Sequence, residues 1–302
     1  MGAGAWGTAI AVVLALAGCG LISPSNEHAS PLDGYRRDGR AFPLADVGPD
    51  LSGITYAPEL RRFLLIQNGG ARLYEYAPDL RTRTRVLQLR GGPSNDFEAV
   101  AWLGGSRIAL AHELNRVVLV HLPEAPDAYE LEVDPSRDDV VELVLPPPSR
   151  GNRGLEGLCF DPDGNAGGGI LFALQESSPR RIFRLQRSRP GTALDVATVP
   201  LAIDEPFDAE AALEGSAEDL SGCAYDPRTG RLLIVSERSS VLLDVALDGT
   251  VVGRLRLPGV FRGGAAHYEG VALGPGAGLY LVSEPALYQR MSRAVVYRLV
   301  GP

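Results

Sequence analysis

From residue 50 to residue 300 the chain alternates between short apolar runs and polar turns. The clearest runs are "RFLLIQN" (62–68), "RIALAHE" (107–113), "ILFALQE" (170–176), "RLLIVSE" (231–237) and "LYLVSE" (279–284). Runs this short, rich in Leu, Ile and Val and bounded by Gly, Pro and Asp, predict buried strands and not helices. Each is preceded by a related stretch: "DLSGITYAP" from Asp50, "DFEAVAWLG" from Asp96, "GLEGLCFDP" from Gly154, "DLSGCAYDP" from Asp219 and "HYEGVALGP" from His267. Third strands are predicted at "RLYEYA", "RVVLVHL", "RIFRLQ", "VLLDVAL" and "AVVYRL", and fourth strands at "RVLQL", "VVELVL", "ALDVATV" and "VVGRLRL".

This is an internal repeat. Its key residues Ser52, Glu98, Glu156, Ser221 and Glu269 lie 46, 58, 65 and 48 residues apart, the period of one four-stranded propeller blade. The two long gaps hold "PEAPDAYELEVDPSRDD" and "IDEPFDAEAALEGSAED", expected as surface excursions. The fifth repeat runs out of chain before its fourth strand. "RAFPLADVGPDLSG" near the other end has the layout of a fourth strand followed by the repeat motif. Residues near 35–45 are therefore expected to complete the last blade, which closes the ring and removes its open edge. A six-bladed ring with one degenerate blade is the competing architecture.

The 36 Gly and 23 Pro among 302 residues suit many turns, and a formal net charge of −8 argues against a nucleic-acid surface. "MGAGAWGTAIAVVLALAGCG" reads as a secretory leader whose end, Leu16-Ala17-Gly18-Cys19, resembles a lipoprotein lipobox. Cys19 is then the lipidated first residue of the mature protein. Residues 1–19 are expected as the signal peptide, 20–32 as a Ser- and Pro-rich tether, and 33–302 as the propeller. The leader lacks the usual basic residues, which points to a start codon upstream. Gly20, where an inner-membrane signal would carry Asp, favours the outer membrane facing the periplasm in a Gram-negative cell. Cys159 and Cys223 sit in neighbouring repeats at positions offset by one. Their side chains should face opposite sides of their strands, so two buried free thiols are expected.

The series "DLSGIT", "DFEAVAW", "GLEGLCFDP", "DLSGCAYDP", "EGVAL" and "YLVSEP" resembles the SdiA-regulated (YjiK-like) family of bacterial envelope proteins over nearly all of residues 33–300. The resemblance implies a five-bladed β-propeller with a bound calcium, distantly similar to NHL-repeat propellers, and no established enzymatic activity.

In a propeller the first strand of each blade lines the central channel and the second runs antiparallel to it. The key residue opens the first strand, and a polar residue (Asn68, Glu113, Glu176, Glu237 or Glu284) ends the second. Both then lie at one end of the hairpin. Glu98, Glu113, Glu156, Glu176, Glu237, Glu269 and Glu284 are so expected to converge on one channel mouth, with Ser52, Asn68 and Ser221 among them. Like charges at close range must protonate, pair with Arg or hold a cation. Calcium suits this oxygen-only set, whereas zinc favours Cys or His. A plainer alternative has each Glu or Ser capping backbone N–H groups of the adjacent blade.

"DPDGN" (161–165) lacks the spacing of a calcium loop and reads as a hairpin turn. "HELNR" (112–116) lacks the second His of a zinc-protease motif and lies in a strand. Two functions remain open: a lipid-anchored calcium-binding module for an unidentified protein or small molecule, and a metal-dependent ester, lactone or phosphoester hydrolase at the channel mouth with His112 or His267 as base.

Overall fold

The computed structural model describes residues 30–38, 42–44, 47–48, 50–92, 95–147, 153–257, 267–284 and 294–301. They form five antiparallel blades arranged in a ring. Blade 1 runs Leu51–Ala57, Arg62–Gln67, Arg72–Tyr76 and Arg83–Arg90 from the channel outward. Blade 2 is Phe97–Gly104, Arg107–His112, Arg116–His121 and Val141–Val144; blade 3 is Leu155–Asp161, Ile170–Gln175, Arg181–Arg187 and Leu201–Asp204. Blade 4 is Gly222–Asp226, Arg231–Ser236, Val241–Val245 and Val251–Arg256. Blade 5 takes His267–Leu273, Leu279–Glu284 and Val295–Val300 from the end of the chain.

The fourth strand of blade 5 comes from the N-terminal side, as the repeat requires. Arg36 and Arg37 pair with Val300 and Leu299, and Phe42 and Pro43 pair with Val296 and Val295. Leu44 continues the seam by donating its amide to Ala294 O at 2.9 Å. The ring is thus closed by five blades, and the six-bladed alternative is set aside.

The core lies between the blades. Among the described residues there are five apolar clusters, one at each blade interface; Leu64, Ile66 and Leu87 of blade 1, for example, pack on Val100, Ile108 and Val118 of blade 2. Every blade therefore buries both faces, which is why the second strands read as continuous apolar runs and not as alternating ones.

Three expectations are corrected. Cys159 and Cys223 form a disulfide, with Cα atoms 5.5 Å apart. Their opposite facing, taken as a reason against pairing, is what permits it. One face of blade 3 packs on the opposite face of blade 4, so residues of opposite parity in the two inner strands meet in the cluster between them. The fourth strand of blade 3 is Leu201–Asp204 and not "ALDVATV". The buried guanidinium of Arg187 holds that segment in a loop by donating to Leu194 O (2.8 Å) and Val199 O (2.9 Å). Within the first expected excursion, Glu130–Glu132 pairs in parallel with Arg83–Arg90 and adds a fifth strand to blade 1.

The end of the expected tether is folded. Leu32 is buried against blades 4 and 5, and Ser30 donates to the buried Asp244 of blade 4 at 2.9 Å. Cys19 and the leader lie outside the described residues. Among the described residues no helix is long and apolar enough to cross a membrane.

Candidate metal centre at the channel mouth

In blades 1, 2, 3 and 5 the pairing of first and second strands shifts register at the key residue, making Ser52, Glu98, Glu156 and Glu269 the extra residue of a β-bulge. A bulge turns its side chain out of the alternating pattern and is a common device beside functional sites. The hairpins hold the second-strand ends against these bulges. Asn68, Glu113 and Glu176 donate their amides to the carbonyls of Asp50, Asp96 and Gly154, at 2.9, 3.2 and 2.9 Å.

The result is an acidic cavity of about 380 Å³ at one mouth of the channel, lined by Ser52, Asn68, Glu98, Glu156, Glu176, Ser221, Glu237 and Glu269. Eight of the ten residues expected at the mouth line it directly. Glu113 lies just behind them, buried. Glu284 closes its strand opposite His267, and its side chain lies outside the described residues.

The carboxylates do not form one uniform ring. Oxygens of Glu98, Glu113 and Glu156 lie within 4.8 Å of one another, and so do ligand atoms of Glu237, His267 and Glu269. In the first group, Asn68 donates to Glu98 Oε1, and Gly154 N donates to Glu113 Oε1 at 2.7 Å. Glu113 Oε2 is buried, and the Glu113 carboxylate also accepts a hydrogen bond from the carboxyl group of Glu156. Burial raises the pKa of Glu113, and burial followed by the charges of Glu98, Glu113, Glu269 and Glu176 pushes that of Glu156 well above the usual carboxylate range.

Elsewhere the charge is balanced within the protein. Arg238 pairs with Glu176, its amide donates to both oxygens of Asp219 (3.2 and 3.1 Å), and burial still raises the pKa of Glu176. His267 Nδ1 contacts Glu237. Neither serine caps the adjacent blade: Ser221 Oγ accepts from Glu237 N of its own blade at 3.0 Å, and Ser52 Oγ donates to Asp50 O at 3.5 Å. Capping of an adjacent blade thus describes one oxygen of Glu113 and not the serines, and it does not account for the crowding of Glu98, Glu113 and Glu156. His112 is a core residue. It is fully buried, its Nδ1 accepts from Leu114 N at 3.1 Å, its ring packs edge-on to Phe97, and burial lowers its pKa.

Asp50, Asp219 and Arg238 also line the cavity and were not anticipated. The signal for the aspartates is visible in hindsight: an Asp stands two residues before the key position in three of the five repeats, at Asp50, Asp96 and Asp219.

Below the mouth the channel is pinched shut. The residues after the key positions are Gly53, Ala99, Gly157, Gly222 and Gly270. A Cβ on Gly222 would stand 2.8 Å from the Cα of Gly270, so the inner strands approach as closely as glycine allows. Only about 10 Å³ remains at this waist, room for about one water at most.

Fold and site together define a closed five-bladed β-propeller with an acidic mouth. The model of the SdiA-regulated family matches residues 27–292, and the chain belongs to that family. Solved structures of similar fold include glutaminyl cyclase from Myxococcus xanthus (TM-score 0.54, 14% identity, covering 89% of this chain and 97% of that one). A calcium-binding regucalcin from Agrobacterium tumefaciens str. C58 (0.52, 16%, 87% and 95%) and a luciferin-regenerating enzyme (0.51, 12%, 87% and 95%) are similar to the same extent. At these identities the likeness is one of fold.

Proposed function

We propose that this protein is a lipid-anchored propeller of the bacterial envelope that binds calcium at its acidic mouth and uses that face as a binding module. The observation that carries the reading is the group Glu98, Glu113 and Glu156, three carboxyl groups, two of them buried, whose oxygens lie within 4.8 Å of one another. Carboxylates this close cannot all ionise unless something positive meets them, whether a proton or a cation. The donors are all oxygen, which fits a hard cation that takes carboxylates and amides in flexible geometry. Glu98, Glu113 and Glu156 would hold the ion, with Asn68 orienting Glu98 and the Gly154 amide orienting Glu113. Calcium is named for the Agrobacterium protein of like fold; here the donor set argues for it independently.

Export is supported by the leader and by the Cys159–Cys223 disulfide, which suits an oxidising compartment. Anchoring rests on the "LAGC" box at residues 16–19. Cys19→Ser should remove the lipid mass from the N-terminus and release the protein from the membrane fraction; unchanged detergent partitioning would contradict it.

One observation favours a second reading. His267, held by Glu237 beside Glu269, places an oriented imidazole at the mouth, the arrangement a metal-dependent hydrolase would need for a general base. Elemental analysis of the purified protein with an ester and lactone screen separates the two. Bound calcium without turnover supports the binding module; turnover abolished by chelation and by His267→Ala supports the hydrolase.

A further inference from the structure

The opposite mouth of the channel is chemically unlike the first. Each inner strand runs from its key residue to a position four residues on, about 13 Å away at roughly 3.3 Å per residue. In the five repeats that position is Tyr56, Trp102, Phe160, Tyr225 and Leu273. All five line a cavity of about 310 Å³, together with Pro58, Pro162 and Pro227, and none of its described lining residues is charged. All five are only partly buried.

The rings are held in place, and the polar atoms of Trp102 and Tyr225 are already used. Trp102 Nε1 donates to Gly105 O at 3.0 Å. The Tyr225 hydroxyl bonds to Asp161, which also accepts the amides of Asp163 and Gly164 at 3.1 Å each. Tyr56 rests on Phe63 with centroids 4.8 Å apart, and Tyr225 stacks on Phe172 at 6.3 Å. The Cys159–Cys223 disulfide forms part of the wall and fixes blade 3 to blade 4 there. The glycine waist separates this cavity from the acidic mouth.

From this arrangement we propose a second ligand site on the face opposite the acidic mouth, one that takes an uncharged, predominantly apolar small molecule with a flat ring. The cavity's volume falls at the lower end of the roughly 300–1,000 Å³ usual for small-molecule pockets, whose walls are mainly apolar and aromatic. Four aromatic side chains offer stacking surface to a flat ring. An ionised ligand would lose its hydration without meeting an opposite charge on the described lining, and two of the neighbouring carboxylates are already engaged: Asp161 as above, and Asp226 by Arg228 at 2.8 Å.

The chain contains two tryptophans, Trp6 in the leader and Trp102, so the mature protein, or the full-length chain carrying Trp6→Phe, reports from inside the cavity. Titration with the uncharged dye N-phenyl-1-naphthylamine should quench Trp102 fluorescence saturably at one dye per chain. Leu273→Asp should weaken binding at least tenfold; if that variant does not fold, Thr55→Asp, at a residue already polar and partly exposed, makes the same test. Glu156→Gln and chelator should leave dye binding unchanged, which keeps this result independent of the calcium reading. Absence of saturable quenching, equal binding by the charged-wall variant, or equally tight binding of the anionic dye 8-anilinonaphthalene-1-sulfonate would overturn the proposal.

Discussion

Glu113 at the end of the second strand of blade 2 accepts the amide hydrogen of Gly154 at the entrance to blade 3, at 2.7 Å. The backbones meet as closely as the side chain does: a Cβ on Gly154 would lie 1.6 Å from Glu113 O. This contact both seats blade 3 on blade 2 and fixes the Glu113 carboxylate beside Glu98 and Glu156. Gly154→Ala should therefore force the two blades apart, costing on the order of 1–3 kcal/mol or more by overpacking. It should also weaken calcium binding although it removes no ligand. Denaturant melts and a calcium titration of the variant would show both effects; a wild-type calcium affinity would mean that the contact does not position the site.

The disulfide joins residues 64 apart in sequence across a blade interface. The chain-entropy model assigns a loop of this length about 4 kcal/mol, and measured disulfides commonly give 2–4 kcal/mol. The double variant Cys159→Ala, Cys223→Ala should melt at clearly lower denaturant while keeping its calcium response, because the disulfide lies on the aromatic side of the waist. A variant as stable as wild type would show that blades 3 and 4 are held by packing alone.

The pattern of apolar runs was enough to read the strands, the blade period and the closing segment, because each hairpin carries its own signal in five consecutive copies. What escaped the pattern depended on contacts between blades. The pairing of Cys159 with Cys223 follows from one blade's face meeting the opposite face of the next, a relationship absent from either strand alone. The loop at residues 193–199 follows from one buried arginine, Arg187, outcompeting a plausible strand. At the site, the glutamates were legible as repeat positions, but their division was not. That Arg238 answers Glu176 and Asp219, while Glu98, Glu113 and Glu156 crowd together, is set by side-chain geometry that a repeat cannot specify.

Proton binding gives the site a pH signature. Burial raises the pKa of Glu113 and, with the neighbouring carboxylates, that of Glu156, relative to an unfolded value near 4.5. In metal-free protein the folded state then binds more protons than the unfolded state as pH rises from about 4.5, so these two groups cost stability progressively through their folded pKa. Calcium takes the deprotonated form and offsets that cost. The gap in melting temperature between calcium and chelator should therefore widen from pH 4.5 towards pH 8, other titrations being common to both arms. Glu113→Gln should flatten the trend, and a gap independent of pH would contradict proton–metal competition at this site.

The most direct test of the calcium centre is the melting temperature of the full-length protein with and without calcium, for wild type and for Glu113→Gln and Glu156→Gln. An ion that binds only the folded mouth stabilises by RT ln(1 + [L]/Kd), roughly 2.7 kcal/mol when calcium stands at about 100 times Kd. Wild type should melt several degrees higher in calcium than in chelator. Each glutamine variant keeps the size and much of the hydrogen-bonding capacity of Glu without its charge, so each should lose most of that shift while melting at or above wild type in chelator. A wild-type protein whose melting temperature is indifferent to calcium would contradict the account, and would leave Glu98, Glu113 and Glu156 as a purely structural cluster.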